Sequence, residues 1–262
     1  MGIKRIITLE EIQNLFPEFT FTYLYPTTDG VMDTTYISDN YVLKFYERDI
    51  KKRVKYDAKN LQNLQMIGLY VPKLVTHSQG WYLYEKLQGA TPKSTSYFHI
   101  TALARFLAKL HTSTYKKKTL YHFLEGYNLE SILQSTKQNN YLYYKKLQSL
   151  QTFTMQEDGF IHGDIFKDNT LFKAQKLGVI DFIDSGSGSF AFDLGVTLLS
   201  FNPKQKSSLQ KLFLETYNQH APTKISKTEL QKAISDAAKI YALLRIHTYK
   251  NPQKAKLLAN LW

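Results

Sequence analysis

Phe160-Ile-His162-Gly-Asp164-Ile-Phe-Lys-Asp-Asn169, followed by Gly178-Val-Ile-Asp181-Phe182, is the stretch on which the reading of this chain turns. Asp164 stands five positions before Asn169, and Asp181 stands twelve positions after it. An isolated His-Gly-Asp or Ile-Asp-Phe marks nothing more than a turn or a buried strand end; the joint order and spacing are much harder to reach by accident. Short apolar runs broken by polar turns predict brief strands and loops from 160 to 194. His162 reads as a loop histidine bonded to nearby backbone. Asp193, ahead of the apolar Leu194-Gly-Val-Thr-Leu-Leu, reads as a carboxylate that starts a helix or braces a loop.

Outward from this centre the chain changes character. Towards the N-terminus, Thr8-Leu-Glu-Glu11 is a capping box, so a short helix is predicted from Leu9 to a stop before Pro17. FTFTYLYP, TTYI and YVLKFYE then alternate aromatic and β-branched residues between turn-like TTDG and SDN, predicting antiparallel strands. A helical pattern with Leu61, Leu64 and Ile67 runs from Arg48 to Leu69 and stops at Gly68. PKLV and WYLYEKL complete an expected five-stranded sheet. Beyond Gly89 the pattern is mainly helical: HITALARFLAKLH, a Tyr-rich stretch to Leu150, and two helices between Lys206 and Leu258. The expected fold class is α+β, with a small antiparallel-sheet lobe over 1–86 and a larger helical lobe over 87–262.

Composition narrows the function classes. The 262 residues are 43% hydrophobic, too apolar for a disordered chain, and contain no cysteine, which excludes disulfides, thiolate zinc sites and a cysteine nucleophile. No apolar run approaches the ~20 residues of a membrane helix, and MGIKRIITLEE lacks a secretory core, so no membrane role and a cytoplasmic location are expected. The net charge of +12 is unevenly spread. Residues 155–200 carry seven acids against three lysines, whereas 203–262 carry ten lysines and Arg245 against three acids. The lysines fall between apolar positions at helical spacing, as on a solvated helix face. No nucleic-acid fingerprint accompanies them, so no specific nucleic-acid partner is expected.

The central segment matches the order and spacing of a kinase catalytic loop and its metal-binding Asp-Phe, with Gly163 where protein kinases carry arginine. It resembles the aminoglycoside phosphotransferase and choline kinase family of small-molecule kinases, which includes homoserine kinase-like members. His162 to Asn169, Ile180 to Phe182 and Asp193-Leu194 are similar to the family's motifs. Upstream, the helix ending in Leu110-His111 and the stretch Tyr70-Val-Pro-Lys look alike too. The resemblance runs in order over about 20–200. It implies a two-lobed protein-kinase-like fold using ATP and Mg2+, with a small-molecule hydroxyl as acceptor. Asp164 would be the catalytic base, and Asn169 and Asp181 the metal ligands. Magnesium takes one or two hard oxygen ligands from protein and keeps phosphates and waters, which suits this pair.

Other roles carry over by position. Lys44, inside the apolar Tyr41-Val-Leu-Lys-Phe-Tyr, sits where the family has its phosphate-binding lysine; a lysine in so apolar a strand needs a reason. Its family partner is a helix glutamate, and the matching position here is Asp57, one methylene shorter and readable either as that partner or as a solvated carboxylate. Adenine would lie against the connecting strand near Glu85 and Leu87. The loop Pro26-Thr-Thr-Asp-Gly30-Val-Met-Asp has one glycine, which offers no tight phosphate cradle, though the hydroxyls of Thr27, Thr28 and Thr34 could assist. For the acceptor, few acids follow Pro203 to receive a polycationic aminoglycoside. Tyr141, Tyr143, Tyr144 and Tyr217 are readable as an aromatic cage for an amine or as core packing. A choline-like amino alcohol or a homoserine-like amino acid is the leading expectation. The alternatives are an aminoglycoside kinase and a kinase-fold binding protein without turnover.

Overall fold

A computed structural model describes residues 4–27, 33–202 and 206–249, with the side chains of 248 and 249 excepted. Residues 28–32, and with them Thr28, lie outside the described residues, as does the predicted helical end at 250–258. Contacts divide the chain into two units, neither of them continuous: Met1–Ala90 with Leu171–Ile183, and Thr91–Thr170 with Asp184–Trp262.

The first unit is built on an antiparallel sheet of β1 (Tyr25–Pro26), β2 (Thr34–Ile37), β3 (Tyr41–Phe45), β4 (Leu74–Ser78) and β5 (Trp81–Glu85), in the order β1-β2-β3-β5-β4. Helix α1 (Leu9–Leu15) starts where the capping box predicts, with Thr8 and Glu11 satisfying each other's backbone N–H groups. Its Ile12, with Phe16, joins Phe21, Tyr36, Leu43, Trp81 and Leu83 in one core. Helix α2 (Lys51–Met66) buries Val54, Asp57, Leu61 and Leu64. The run FTFTYLYP pairs as a strand only at its last two residues. Its earlier backbone groups are met by side chains instead: Gln13 donates to Phe19 O, Ser38 to Tyr23 O, and Asp39 accepts from Thr22 N–H.

Segment 171–183, which the sequence division at 86/87 groups with the helical part, packs with the sheet unit. Bridges Ala90–Phe172 and Tyr70–Gly178 fix it there. It contributes most of the hairpin β7 (Thr170–Lys173) and β8 (Lys176–Val179).

The second unit is helical: α3 (Tyr97–Thr114), α4 (Leu129–Asn139), α5 (Tyr141–Leu147), α6 (Phe190–Phe201), α7 (Ser207–Asn218) and α8 (Lys227–Tyr249), with a small pair β6 (Gly159–Ile161) and β9 (Gly186–Gly188). Helix α6 is buried on nearly every face. Gly195 lets α8 approach it closely, since a Cβ there would meet the Ala233 backbone at 2.7 Å. No helix among the described residues is long and apolar enough to cross a membrane.

Candidate active site

The loop after β6 is shaped first by Gly163. Its φ of +77° belongs to the left-handed region, and a Cβ there would fall 2.1 Å from the Phe123 ring. A side chain such as the arginine of protein kinases has no room at this position. The loop is then held from α6: the Asp193 carboxylate, fully buried, accepts the N–H groups of His162 at 3.0 Å and Gly163 at 2.8 Å, and meets His111 Nε2 at 3.1 Å. Burial pushes the Asp193 carboxyl up, but hydrogen bonding to His111, the neighbouring imidazoles and the Gly163 N–H outweigh it and leave its pKa lowered. His111 is itself fixed by Tyr217 OH at 2.8 Å and by stacking on Phe190. His162 takes the Asp164 N–H on its Nδ1, the backbone bond expected of a loop histidine.

These contacts aim Asp164. Its Oδ2 accepts from Asn169 Nδ2 at 2.9 Å, and the same amide nitrogen also donates to Asp164 O at 2.8 Å. With its nitrogen spent in this way, Asn169 presents its carbonyl oxygen as a hard ligand, a fit to Mg2+. The other oxygen, Oδ1, accepts from Tyr241 OH on α8 at 3.1 Å, and Tyr241 OH also bonds Gly163 O. Burial and then the Asp164 charge push the Tyr241 phenol well above its ordinary value, so it stays a donor. Tyr241 had no signal in the sequence, because it lies 77 residues downstream within an ordinary apolar helix pattern.

The remaining site residues belong to the sheet unit. Lys44, on β3 with its side chain 17% exposed, places Nζ 2.7 Å from Asp181 Oδ1. Burial alone lowers the lysine pKa, but the carboxylate of Asp181, assisted by Asp33 and Asp57, more than offsets it and leaves it raised. Asp181 adopts a φ of +69°, a conformation uncommon for a residue with a Cβ. Asp57 is buried on α2 at 5% exposure, which removes the solvated reading, but the ion pair of Lys44 is made with Asp181, and the Asp57 charge adds less to it than those of Asp181 and Asp33. Glu85 directs its carboxylate to solvent, 3.7 Å from Lys73, while its backbone N–H donates to Lys73 O. Leu87 is buried, lies against Gly178, and makes no backbone hydrogen bond among the described residues. The Thr34 hydroxyl is fully buried and engaged with Lys4 N, Arg5 N and Glu47, a structural role. Tyr144 and Tyr217 are buried, so those two tyrosines serve packing and hydrogen bonding. Among the described residues no cluster of three or more His, Cys, Asp or Glu side chains forms a metal cage.

Comparison with known proteins follows the same lines. The sequence profile of the phosphotransferase enzyme family matches residues 28–225. A homoserine kinase from Polaromonas naphthalenivorans (strain CJ2) is 22% identical, over 87% of this chain and 83% of its own length. Choline kinase LicA from Streptococcus pneumoniae superposes with a TM-score of 0.70 at 18% identity, covering 96% of this chain and 98% of that one. The ADP-bound aminoglycoside phosphotransferase APH(2'')-Ib gives a TM-score of 0.66 at 19% identity, covering 97% of both chains. The fold is that of these protein-kinase-like enzymes.

Proposed function

The chain belongs to the phosphotransferase enzyme family and is a small-molecule kinase, and from that premise we propose that it moves the γ-phosphoryl group of Mg-ATP onto a hydroxyl of a small amino alcohol or hydroxy amino acid. The observation that carries this reading is the carboxylate of Asp164, held by Asn169 on one oxygen and Tyr241 on the other. A carboxylate fixed on both oxygens keeps its second lone pairs for an incoming hydroxyl, which is what a base for phosphoryl transfer needs.

In the reaction, the acceptor oxygen forms a bond to the γ-phosphorus as the bond from that phosphorus to the ADP oxygen breaks. The hydroxyl proton passes to Asp164 and from there to solvent. Lys44 supplies positive charge to the phosphates, and the carboxylate of Asp181, with those of Asp33 and Asp57, keeps that lysine charged. Asn169 through its amide oxygen and Asp181 through its carboxylate would hold Mg2+, which when bound neutralises the phosphate charge. Leu87 offers its free backbone edge to adenine, whereas the exposed Glu85 side chain has no part in that contact.

The test is ADP release from Mg-ATP against amino alcohols, hydroxy amino acids, sugars, nucleosides and aminoglycosides, with Asp164→Asn beside the wild type. One acceptor is expected to stimulate release, with kcat in the variant falling by about 10²–10⁴. Binding of Mg-ATP without stimulation by any acceptor would favour the turnover-free binding protein instead, and a stimulating aminoglycoside would replace the acceptor class.

A further inference from the structure

Helix α8 brings a second functional group against the loop that carries Asp164. Arg245 stands four residues after Tyr241, one turn on and about 6 Å along the axis, so the two side chains share a face. Tyr241 reaches Asp164 directly. The Tyr241 ring meets the edge of Phe166 at 4.9 Å, and the Arg245 guanidinium carbon lies 5.7 Å from the centre of that same ring. Phe166 is two residues beyond Asp164, so the loop that carries the base also carries the platform for the cation. The Arg245 charge is among those that bear on the Tyr241 phenol.

The choice of residue is informative. Of 34 basic side chains only five are arginine, and Arg245 is the single arginine after Arg105; its neighbours in the last quarter of the chain are lysines. A guanidinium forks to a carboxylate through two parallel hydrogen bonds, which an ammonium cannot do. Arg245 is half-buried, and among the described residues it makes no ion pair or hydrogen bond, only the contact with the Phe166 ring. Partial burial of a permanent charge favours an anionic partner at that place. The nearby carboxylates do not fill that role: Asp236, nine residues earlier and on the opposite side of α8, is paired with Lys232, and Asp164 is engaged by Asn169 and Tyr241.

We propose that Arg245 binds the carboxylate of the acceptor, so that the substrate is a short hydroxy acid with its hydroxyl at Asp164 and its carboxylate one helical turn away. The one-turn separation of Tyr241 and Arg245 on α8 is covered by a chain of roughly four carbons with bonds of about 1.5 Å. The assignment rests on the phosphotransferase reading and selects, within it, anionic acceptors over choline-like and polycationic ones.

Titration calorimetry on the full chain with Mg-ADP, using L-homoserine, 4-hydroxybutanoate and 3-aminopropan-1-ol, separates the contributions of carboxylate and amine. The same three compounds are then assayed as acceptors with Mg-ATP. Wild type is expected to bind the two carboxylates more tightly than the amino alcohol. Arg245→Met should weaken the carboxylates at least tenfold more than it weakens 3-aminopropan-1-ol, and in turnover the loss should fall on KM rather than kcat. Arg245→Lys should recover part of the loss, which a purely packing role would not produce, and it serves as the folded comparison if Arg245→Met is unstable. Equal losses with and without a carboxylate, or a wild type that prefers the amino alcohol or kanamycin, would overturn the assignment. Mg-ADP binding in the same samples keeps the two failures apart. If the nucleotide binds and no hydroxy acid does, the Arg245 assignment falls alone; if neither binds, both readings fall.

Discussion

Gly163 shows how a single residue sets the geometry of the proposed catalytic loop. Its left-handed backbone and the Phe123 ring beside it leave no space for a side chain, while its N–H and carbonyl are taken by Asp193 and Tyr241. Gly163→Ala therefore combines backbone strain with a clash, and the expected cost is about 1–3 kcal/mol, seen as a fall in Tm of several degrees and a lower urea midpoint. An unchanged melting curve would mean that the loop relaxes freely. The sequence already singled out the candidate groups at this scale, because Asp164, Asn169 and Asp181 lie in one short window at fixed spacing. It could not name Tyr241, whose contact with Asp164 exists only once α8 is packed. Asp57 shows the same limit in reverse: its position was legible, but its burial, and hence its influence on Lys44, was not.

Among the elements, α6 is the anchor of the loop that carries Asp164. Its N-terminus is capped by Ser189, and its first turn carries Asp193, which joins the loop to α3 through His111. A buried carboxylate whose partners are donors becomes costly once neutralised. Because its folded pKa lies below the ordinary carboxylate value, the stability it contributes is present above about pH 4 and is lost as pH falls through the lowered folded value. Asp193→Asn is expected to cost about 3–5 kcal/mol at pH 7 in chemical denaturation, and the gap to wild type should narrow at pH 3. A gap that stays constant with pH would show that the carboxylate charge is not what α6 contributes. The helices were largely legible from periodicity and caps. The stretch before β1 was not, because side chains of Gln13, Ser38 and Asp39, two of them beyond the next strand, took over its backbone groups.

At the scale of the whole molecule, the proposed site residues are divided between the units: Asp164 and Asn169 belong to the helical one, Lys44 and Asp181 to the one built on the sheet. A ligand that binds only the folded protein stabilises it by mass action, about 2.7 kcal/mol at a hundredfold excess over Kd. Mg-ATP is therefore expected to raise the melting temperature by several degrees, and Lys44→Met to shrink that shift by removing the cation beside Asp181. If the wild type shows no shift at saturating Mg-ATP, the nucleotide-binding reading is lost. The charge is uneven, acidic around the segment that carries Asp164 and basic in the last quarter, and Arg245 is a place where that basic excess meets the loop of Asp164.

The sequence alone determined the candidate reactive groups, their order and the partition into a sheet-rich first third and a helical remainder. These depend on short-range spacing, caps and hydrophobic period, which are local properties of the chain. The tertiary structure alone decided which groups act on one another. It joined Lys44 to Asp181 across 137 positions and Tyr241 to Asp164 across 77, and it carried 171–183 into the unit of the sheet. No periodicity encodes such pairings, because each depends on where two separately formed elements come to rest when their apolar faces are buried.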